Sequence, residues 1–324
     1  MTAQPRLKIA IATYGHTKDV KSGAIAIAGV EPEFVEVEPI IGAFRRMVRD
    51  VEFDVCEMAP TTYMIARALG APFIALPIFL MRRFHHGGFV VRPESGIRSP
   101  KDLEGKKVGV RAYSVTTGVW TRGIFVNEYG LDSSKVTWVV DDEEHVTSLQ
   151  LPPNVVHAPD GRSLASMMAD GELQAAFSGP AGIGRAGPPT GAWETPASAV
   201  TYPELIPNVA EVEAQWFRRT GIYPIHGLIV VKTDVLAQHP FVAKSLFDAF
   251  LAAKDAYVAR LKAGDGDDAN SVKYRQLMPL VGDPLPYGLT ANMPSIEAML
   301  TYGLQQKLIP SRMPLDQVFA KVDP

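Results

Sequence analysis

The chemistry open to this chain is set by seven histidines, one cysteine and a few acids and arginines at strand ends. Glu57 closes a short apolar run, FDVCE from Phe53, and shares its face with Phe53 and Val55. A carboxyl on a core face is desolvated, which favours its protonated form and suits it to acid or base work near neutrality. The structural alternative is a carboxylate that caps the helix expected to begin at Thr61. His85 and His86 stand in FHHGG, where two glycines let the backbone approach a neighbour closely. Their imidazoles suit donation to an oxyanion or a ring carbon; read structurally, they pack a hinge. His16, in YGHT, follows the first expected strand, and His226 lies in a later one. Both are candidates for proton transfer, and both have plain readings as a loop and a core histidine. Glu144 and His145 follow another strand. None of these groups shows HxH or HExxH spacing, so no metal is expected.

A second set suits anions. Arg111 ends a strand, and Thr116 and Thr117 open the next helix, where free amides and hydroxyls bind negative charge. Arg82 and Arg83 precede the histidine pair and offer a bidentate clamp, or for one of them a solvated face. Tyr113 suits a hydrogen bond to a phenol, and Ser178 closes a strand that should end on the same side. Arg122 and Trp120 read as structural, the tryptophan packing between helix and sheet.

These groups need strands to position them. Leu7–Thr13, Glu33–Glu38, Phe53–Glu57, Phe73–Pro77 and Gly88–Val91 read as strands, with helices at Ile40–Val51 and Thr61–Leu69. That alternation predicts an α/β lobe with a mostly parallel sheet. From about Ser95 a second unit follows: a short helix at Pro100–Glu104, strands at Lys107–Arg111, Val136–Val140 and Leu173–Ser178, and helices at Thr116–Tyr129 and Leu164–Asp170. Gly130 ends the first of these helices. Gly179–Pro196 is rich in Gly and Pro and reads as loop; its GIGRAG lacks the strand–turn–helix frame of a dinucleotide site. Ile225–Val231 is a further strand, followed by long helices at His239–Lys262 and Ser295–Lys307. With no sheet of their own, these helices should return to the first lobe. The expected division is 1–92 with 225–324, and 93–224. Two open α/β lobes joined by two crossovers leave a central cleft, and ligands of such sheets bind beyond the carboxyl ends of the strands.

Composition narrows the function. The 324 residues suffice for two domains, and 47% are apolar. Thirty-two basic residues balance 35 acidic ones for a net charge of -3, with no basic tract, so nucleic acid is not an expected partner. Cys56 is the single cysteine, which rules out an internal disulfide and suits a reducing, cytoplasmic setting. The opening MTAQPRLKIAIATYGHT reads as a first core strand rather than an export signal. The run FIALPIFLM is too short to span a bilayer, so no membrane is expected. A homo-oligomer is compatible with the sequence, which does not set the oligomeric state.

Longer stretches carry a resemblance. PKDLEGKKVGV (100–110), the helix start TTGVW and the closing LDSSKVTW look like the second lobe of type 2 periplasmic binding proteins. FDVCEM, TTY, FHHGG, SGIRSPKDLEGKKVGV, TTGVWTRG, EYG, VTW and EEHV, in that order, with DPLPYG near the C-terminus, resemble the 4,5-dihydroxyphthalate decarboxylase family. The resemblance implies an aromatic dicarboxylate as substrate and 3,4-dihydroxybenzoate and carbon dioxide as products. Such a reaction needs an acid for the ring carbon, a base for the phenol and cations for the carboxylates, and no organic cofactor. Two other readings stay open: a solute-binding receptor for an ABC importer of organic anions, and a different lyase or dehydratase on the same fold.

Overall fold

The computed structural model describes residues 4–184 and 201–322. The expected loop from 179 to 196 therefore lies outside the described residues from 185 onward. In chain order the strands are β1 (Arg6–Ala10), β2 (Glu31–Phe34), β3 (Val55–Met58), β4 (Phe73–Arg82), β5 (Phe89–Val91), β6 (Lys107–Gly109), β7 (Thr137–Val140), β8 (Val155–His157), β9 (Ala175–Phe177) and β10 (Ile225–Lys232). The helices are α1 (Lys18–Lys21), α2 (Ile41–Asp50), α3 (Pro60–Ala68), α4 (Thr116–Tyr129), α5 (Leu164–Ala169), α6 (Val209–Thr220), α7 (Thr233–Gln238), α8 (Phe241–Lys262), α9 (Ala269–Val281), α10 (Met293–Gln305) and α11 (Leu315–Val318). The chain groups into two units, one of Met1–Arg83, Gly221–Ala298 and Arg312–Pro324, the other of Phe84–Thr220 and Met299–Ser311.

The first unit is built on a five-stranded sheet of order β2-β1-β3-β10-β4. β1 runs parallel to β2 and β3, while β10 runs antiparallel to β3 and β4. The apolar side chains of β1, β3, β4 and β10 are almost wholly buried, so these strands read as near-continuous hydrophobic runs. β4 is longer than its sequence suggests. It continues through Pro77 to Arg82, but its register against β10 jumps from Ile229 opposite Leu76 to Gly227 opposite Met81. Proline has no N–H for the ladder, so the chain bulges there. The freed carbonyl of Pro77 accepts from Gly288 N–H at 2.8 Å. α3 starts at Pro60, a residue with no N–H to leave unsatisfied in the first turn, and not at a Thr61 cap.

The second unit holds a five-stranded sheet of order β5-β9-β6-β7-β8. β5 was expected in the first sheet. It instead pairs antiparallel with β9, because Phe89 packs edge-on to Phe125 at 5.2 Å and to Phe177 at 5.0 Å. α4 spans the predicted residues and ends at Gly130, whose φ of 68° needs no Cβ. The chain beyond α10's midpoint also departs from expectation. Tyr302 lies edge-on to Trp120 at 5.6 Å, and a Cβ on Gly123 would stand 2.0 Å from its ring. That contact ties residues 299–311 to this unit rather than the first. β8 and α6 have no clear sequence signature: β8 is three residues with an exposed valine, and α6 buries Trp216 alone.

Candidate active site

Glu57 lies within β3 at the carboxyl end of the parallel strands, and all four residues of that strand are buried. Its carboxylate has a constructed environment. Ala12 N–H donates to Oε2 at 3.0 Å, and the Tyr14 hydroxyl donates to Oε1 at 2.7 Å. Both donors come from the turn that follows β1. Gly227 of β10 is a neighbour of the carboxylate: a Cβ there would meet Oε1 in ordinary contact at 3.4 Å. Burial pushes the Glu57 carboxyl above the usual carboxylate range, against the pull of Ala12, Tyr14 and Lys21. The expected cap to α3 is not made, since that helix has no side-chain cap. What the arrangement offers is a buried carboxyl able to hold and release a proton.

His16 sits in the same place. Its ring stacks on Tyr14 with centroids 5.3 Å apart and planes 6° apart, and Tyr257 of α8 leans against its other side at 5.6 Å. Gly15 permits this approach, because a Cβ there would stand 2.2 Å from the Tyr257 ring. The imidazole is 2% exposed, and burial lowers its pKa to about 4, although the Leu80 carbonyl lies near enough to favour the proton. Thr17 braces the turn: Tyr14 N–H donates to its Oγ1 at 2.7 Å, and that hydroxyl donates to the Ala12 carbonyl at 2.9 Å.

Other candidates in this unit have different roles. Arg82, offered as half of an anion clamp, is 2% exposed and spends its terminal nitrogens on the Asn292 side chain and the Tyr223 carbonyl. Its guanidinium lies over the Tyr223 ring at 4.8 Å. It ties β4 to the C-terminal segment, with both terminal nitrogens engaged by the chain itself. Arg83 is partly buried, and its charge, after burial itself, helps keep His226 neutral.

The histidine pair belongs to the second unit. His85 stacks parallel to Trp120 at 6.4 Å, and its carbonyl accepts from Thr121 Oγ1 at 2.8 Å. His86 meets Trp216 edge-on at 4.9 Å, and its Nδ1 lies 3.8 Å from Glu213. Burial lowers its pKa to about 4. At the carboxyl end of β6, Arg111 Nε faces the buried Asp142 at 3.9 Å. Thr116 and Thr117 are buried in the first turn of α4. Tyr113 N–H and Ser114 N–H donate to Glu144 at 2.6 and 3.1 Å, so the chain's own carboxylate holds the loop that leads into α4. The Tyr113 ring lies beneath Arg122, whose guanidinium carbon is 4.0 Å from its centroid; its hydroxyl points to the Gln306 carbonyl at 3.5 Å. Tyr113 is thus held as packing for Arg122, which agrees with the structural reading of that arginine. The Ser178 hydroxyl lies 3.5 Å from the place a Cβ would take on Gly88.

Three residues of the first unit escaped sequence reasoning. Tyr14 is one. Lys254, on α8, is 5% exposed; its Nζ contacts Asp283 at 2.9 Å and Asp255 at 2.6 Å. Tyr287 lies below that ammonium, 5.7 Å from Nζ to ring centroid. The DPLPYG motif contains Tyr287, and the tyrosine of YGHT is Tyr14, so both signals were present but carried no periodicity or pairing to rank them. Among the described residues no cluster of three or more His, Cys, Asp and Glu is arranged to hold a metal ion. Among the described residues no helix is long and apolar enough to cross a membrane.

Comparison with known proteins agrees with this architecture. Residues 28–151 match the model of the phosphonate ABC-transporter periplasmic substrate-binding proteins. The periplasmic aliphatic sulphonate binding protein SsuA from Escherichia coli superposes with a TM-score of 0.52 at 10% identity, covering 99% of this chain and 93% of that one. Closer in sequence, a 4,5-dihydroxyphthalate decarboxylase from Pseudomonas putida is 36% identical over 177 residues, covering 52% of this chain and 68% of that protein. A 4,5-dihydroxyphthalate decarboxylase from Comamonas testosteroni is 32% identical over 288 residues, 86% of this chain and 82% of that protein. At that identity and coverage, on the fold of periplasmic binding proteins, the chain belongs to the 4,5-dihydroxyphthalate decarboxylase family.

Proposed function

We propose that this protein is a carboxy-lyase that converts 4,5-dihydroxyphthalate, or a close hydroxylated aromatic carboxylate, to 3,4-dihydroxybenzoate and carbon dioxide. The observation that carries the reading is Glu57, a buried carboxyl whose proton is favoured by desolvation and whose two oxygens are fixed by Ala12 and Tyr14. In the substrate each carboxylate is para to a hydroxyl. Drawing off that hydroxyl's proton pushes electron density onto the carbon bearing the carboxylate. A proton from Glu57 then forms the new C–H bond. The C–C bond to the carboxylate breaks, carbon dioxide leaves, and the electron pair returns to the ring. An acid held against the ring acts mainly on the transition state, because protonation is what breaks aromaticity.

The test is incubation of the purified chain with 4,5-dihydroxyphthalate while carbon dioxide and 3,4-dihydroxybenzoate are measured together. Stoichiometric appearance of both supports the reading. Tight binding of the dicarboxylate with no turnover would leave a receptor for organic anions in its place. The expected ligand is a small aromatic dicarboxylate, and the expected compartment is the cytoplasm, which fractionation of the native host would check.

A further inference from the structure

Two buried polar side chains near Glu57 have no work assigned to them in the proton transfer from that acid. Both ring nitrogens of His16 and the hydroxyl oxygen of Tyr287 are shut off from the surface; the Tyr287 hydroxyl meets no hydrogen-bond partner among the described residues, and His16 has only the Leu80 carbonyl near one of its nitrogens. Buried polar atoms are almost always paired, because an unpaired one forfeits its hydration without return. His16 is joined to Glu57 through Tyr14, and Tyr287 lies near enough to feel the Glu57 charge, so a free His16 lone pair and the Tyr287 hydroxyl call for a partner supplied from outside the chain.

The fold takes care to hold both groups. The loop that carries Tyr287 is fixed at each end. Asp283 accepts from Lys254 Nζ and from Leu285 N–H, both at 2.9 Å. Gly288 N–H donates to the Pro77 carbonyl at 2.8 Å, and the Asn292 side chain donates to the carbonyls of Pro286 and Gly288 at 2.9 and 2.7 Å. His16 is wedged between Tyr14 and Tyr257. Pro77 and Leu80 belong to the same irregular stretch of β4, so one bulge supplies both the carbonyl that holds Gly288, next to Tyr287, and the carbonyl near His16. A loop secured at this many points around a phenol with nothing to bond is a binding feature rather than a packing one.

We propose that Tyr287 and His16 recognise the ring hydroxyls of a phenolic ligand, Tyr287 by donating to one oxygen and His16 by accepting from a hydroxyl. A neutral imidazole has one N–H and one lone pair, so it complements a hydroxyl and its neighbour on a catechol ring. This deepens the decarboxylase reading and rests on it for its chemistry: His16 takes the proton of the hydroxyl para to the departing carboxylate while Glu57 protonates the ring carbon. After carbon dioxide has left, the imidazolium returns that proton to the oxygen, and Glu57 is reprotonated by solvent. The sum is one proton consumed and one carboxylate lost as carbon dioxide. Burial, which leaves His16 neutral at pH 7, keeps its lone pair available.

The experiment compares binding of 3,4-dihydroxybenzoate and of benzoate, which differ only in the two hydroxyls, by calorimetry on the full chain. The wild type should prefer the dihydroxy acid. Tyr287→Phe and, separately, His16→Asn should each lower that preference roughly tenfold while benzoate affinity stays unchanged. Without ligand, Tyr287→Phe should melt at or above the wild-type temperature, because the oxygen it removes bonds nothing. A wild type with no preference overturns the proposal, as does an undiminished preference in both variants, or a clear fall in the melting temperature of Tyr287→Phe. Turnover of 4,5-dihydroxyphthalate separates the two ideas. Hydroxyl preference without turnover removes the decarboxylase and leaves the phenol site; turnover with unaltered preference removes the phenol site and leaves the decarboxylase.

Discussion

The Tyr14 hydroxyl donates to Oε1 of Glu57 at 2.7 Å, joining the turn after β1 to the middle of β3 across 43 residues of sequence. The bond sets two opposed influences on one carboxyl. Burial raises its pKa and prevails, while the Ala12 amide and the Tyr14 hydroxyl hold it back. An acid balanced in this way is sensitive to small changes in its partners.

Glu57→Gln retains size and polarity but has no proton to give at neutral pH. It should lower kcat on 4,5-dihydroxyphthalate by about 100-fold or more with little change in substrate affinity. Steady-state kinetics with a direct binding titration will check this. Near-normal turnover in a variant of normal melting temperature would move the acid elsewhere.

Tyr14→Phe removes one of the two donors that lower the Glu57 pKa. The pKa should therefore rise further, and the pH at which activity fades on the alkaline side should move up with it. A kcat profile that shifts downward, or an alkaline limb that stays in place, would mean that the limb reports some other group. Tyr14 also stacks on His16, so a thermal melt must accompany the profile.

Much of the fold was legible, and the reasons are local. α4 was found to the residue because an apolar helical face runs up to Gly130, whose φ of 68° marks the end. β1, β3 and β10 showed as buried apolar runs. β5 was assigned to the wrong sheet because three apolar residues do not encode which partner they pair with; Phe125 and Phe177 decide it, and both are distant in sequence. Glu57 and His16 were legible as an acid and a histidine following core strands. That they share Tyr14 was not, because the contact joins two different strand ends. The partners of Arg82 are not legible, because nothing near it in sequence shows that Asn292 and Tyr223 take its terminal nitrogens.

Two neutral, buried histidines predict acid sensitivity. His16 and His86 each titrate near 4 in the folded protein, below the ordinary 6.5. As pH falls the unfolded chain takes up these protons first. Stability should therefore be full above pH 6.5 and decline toward pH 4, by about 3 kcal/mol for each histidine at most. Chemical denaturation at pH 7 and pH 5 will show the slope, and His16→Asn should flatten it. Equal stability at the two pH values in the wild type would contradict the burial of both imidazoles.

Arg111 faces a carboxylate of its own chain, Asp142, whose side chain is 2% exposed. Arg111→Ala should then act twice: it should raise KM for a dicarboxylate if the guanidinium also meets substrate, and it should lower stability by about 1–3 kcal/mol by taking a cation from a buried anion. A fall in melting temperature with KM unchanged assigns Arg111 to structure alone; a raised KM with an unchanged melt would assign it to substrate.

Gly15 decides how closely α8 can approach the turn that carries His16. A Cβ at this position would lie 2.2 Å from Cε2 of Tyr257 and 2.8 Å from Cδ2, far inside contact distance. The ring has no easy retreat. Its hydroxyl is bonded to Ser271 Oγ at 2.8 Å, and its face leans on His16 at 5.6 Å. Gly15→Ala should therefore cost roughly 1–3 kcal/mol of stability by overpacking and displace His16 from its stack. Turnover should fall along with the melting temperature. Tyr257→Ala in the same chain removes the clash, so the double variant should be more stable than the sum of the two single effects. Simple additivity, with Gly15→Ala fully active, would show that this close approach is not what positions His16.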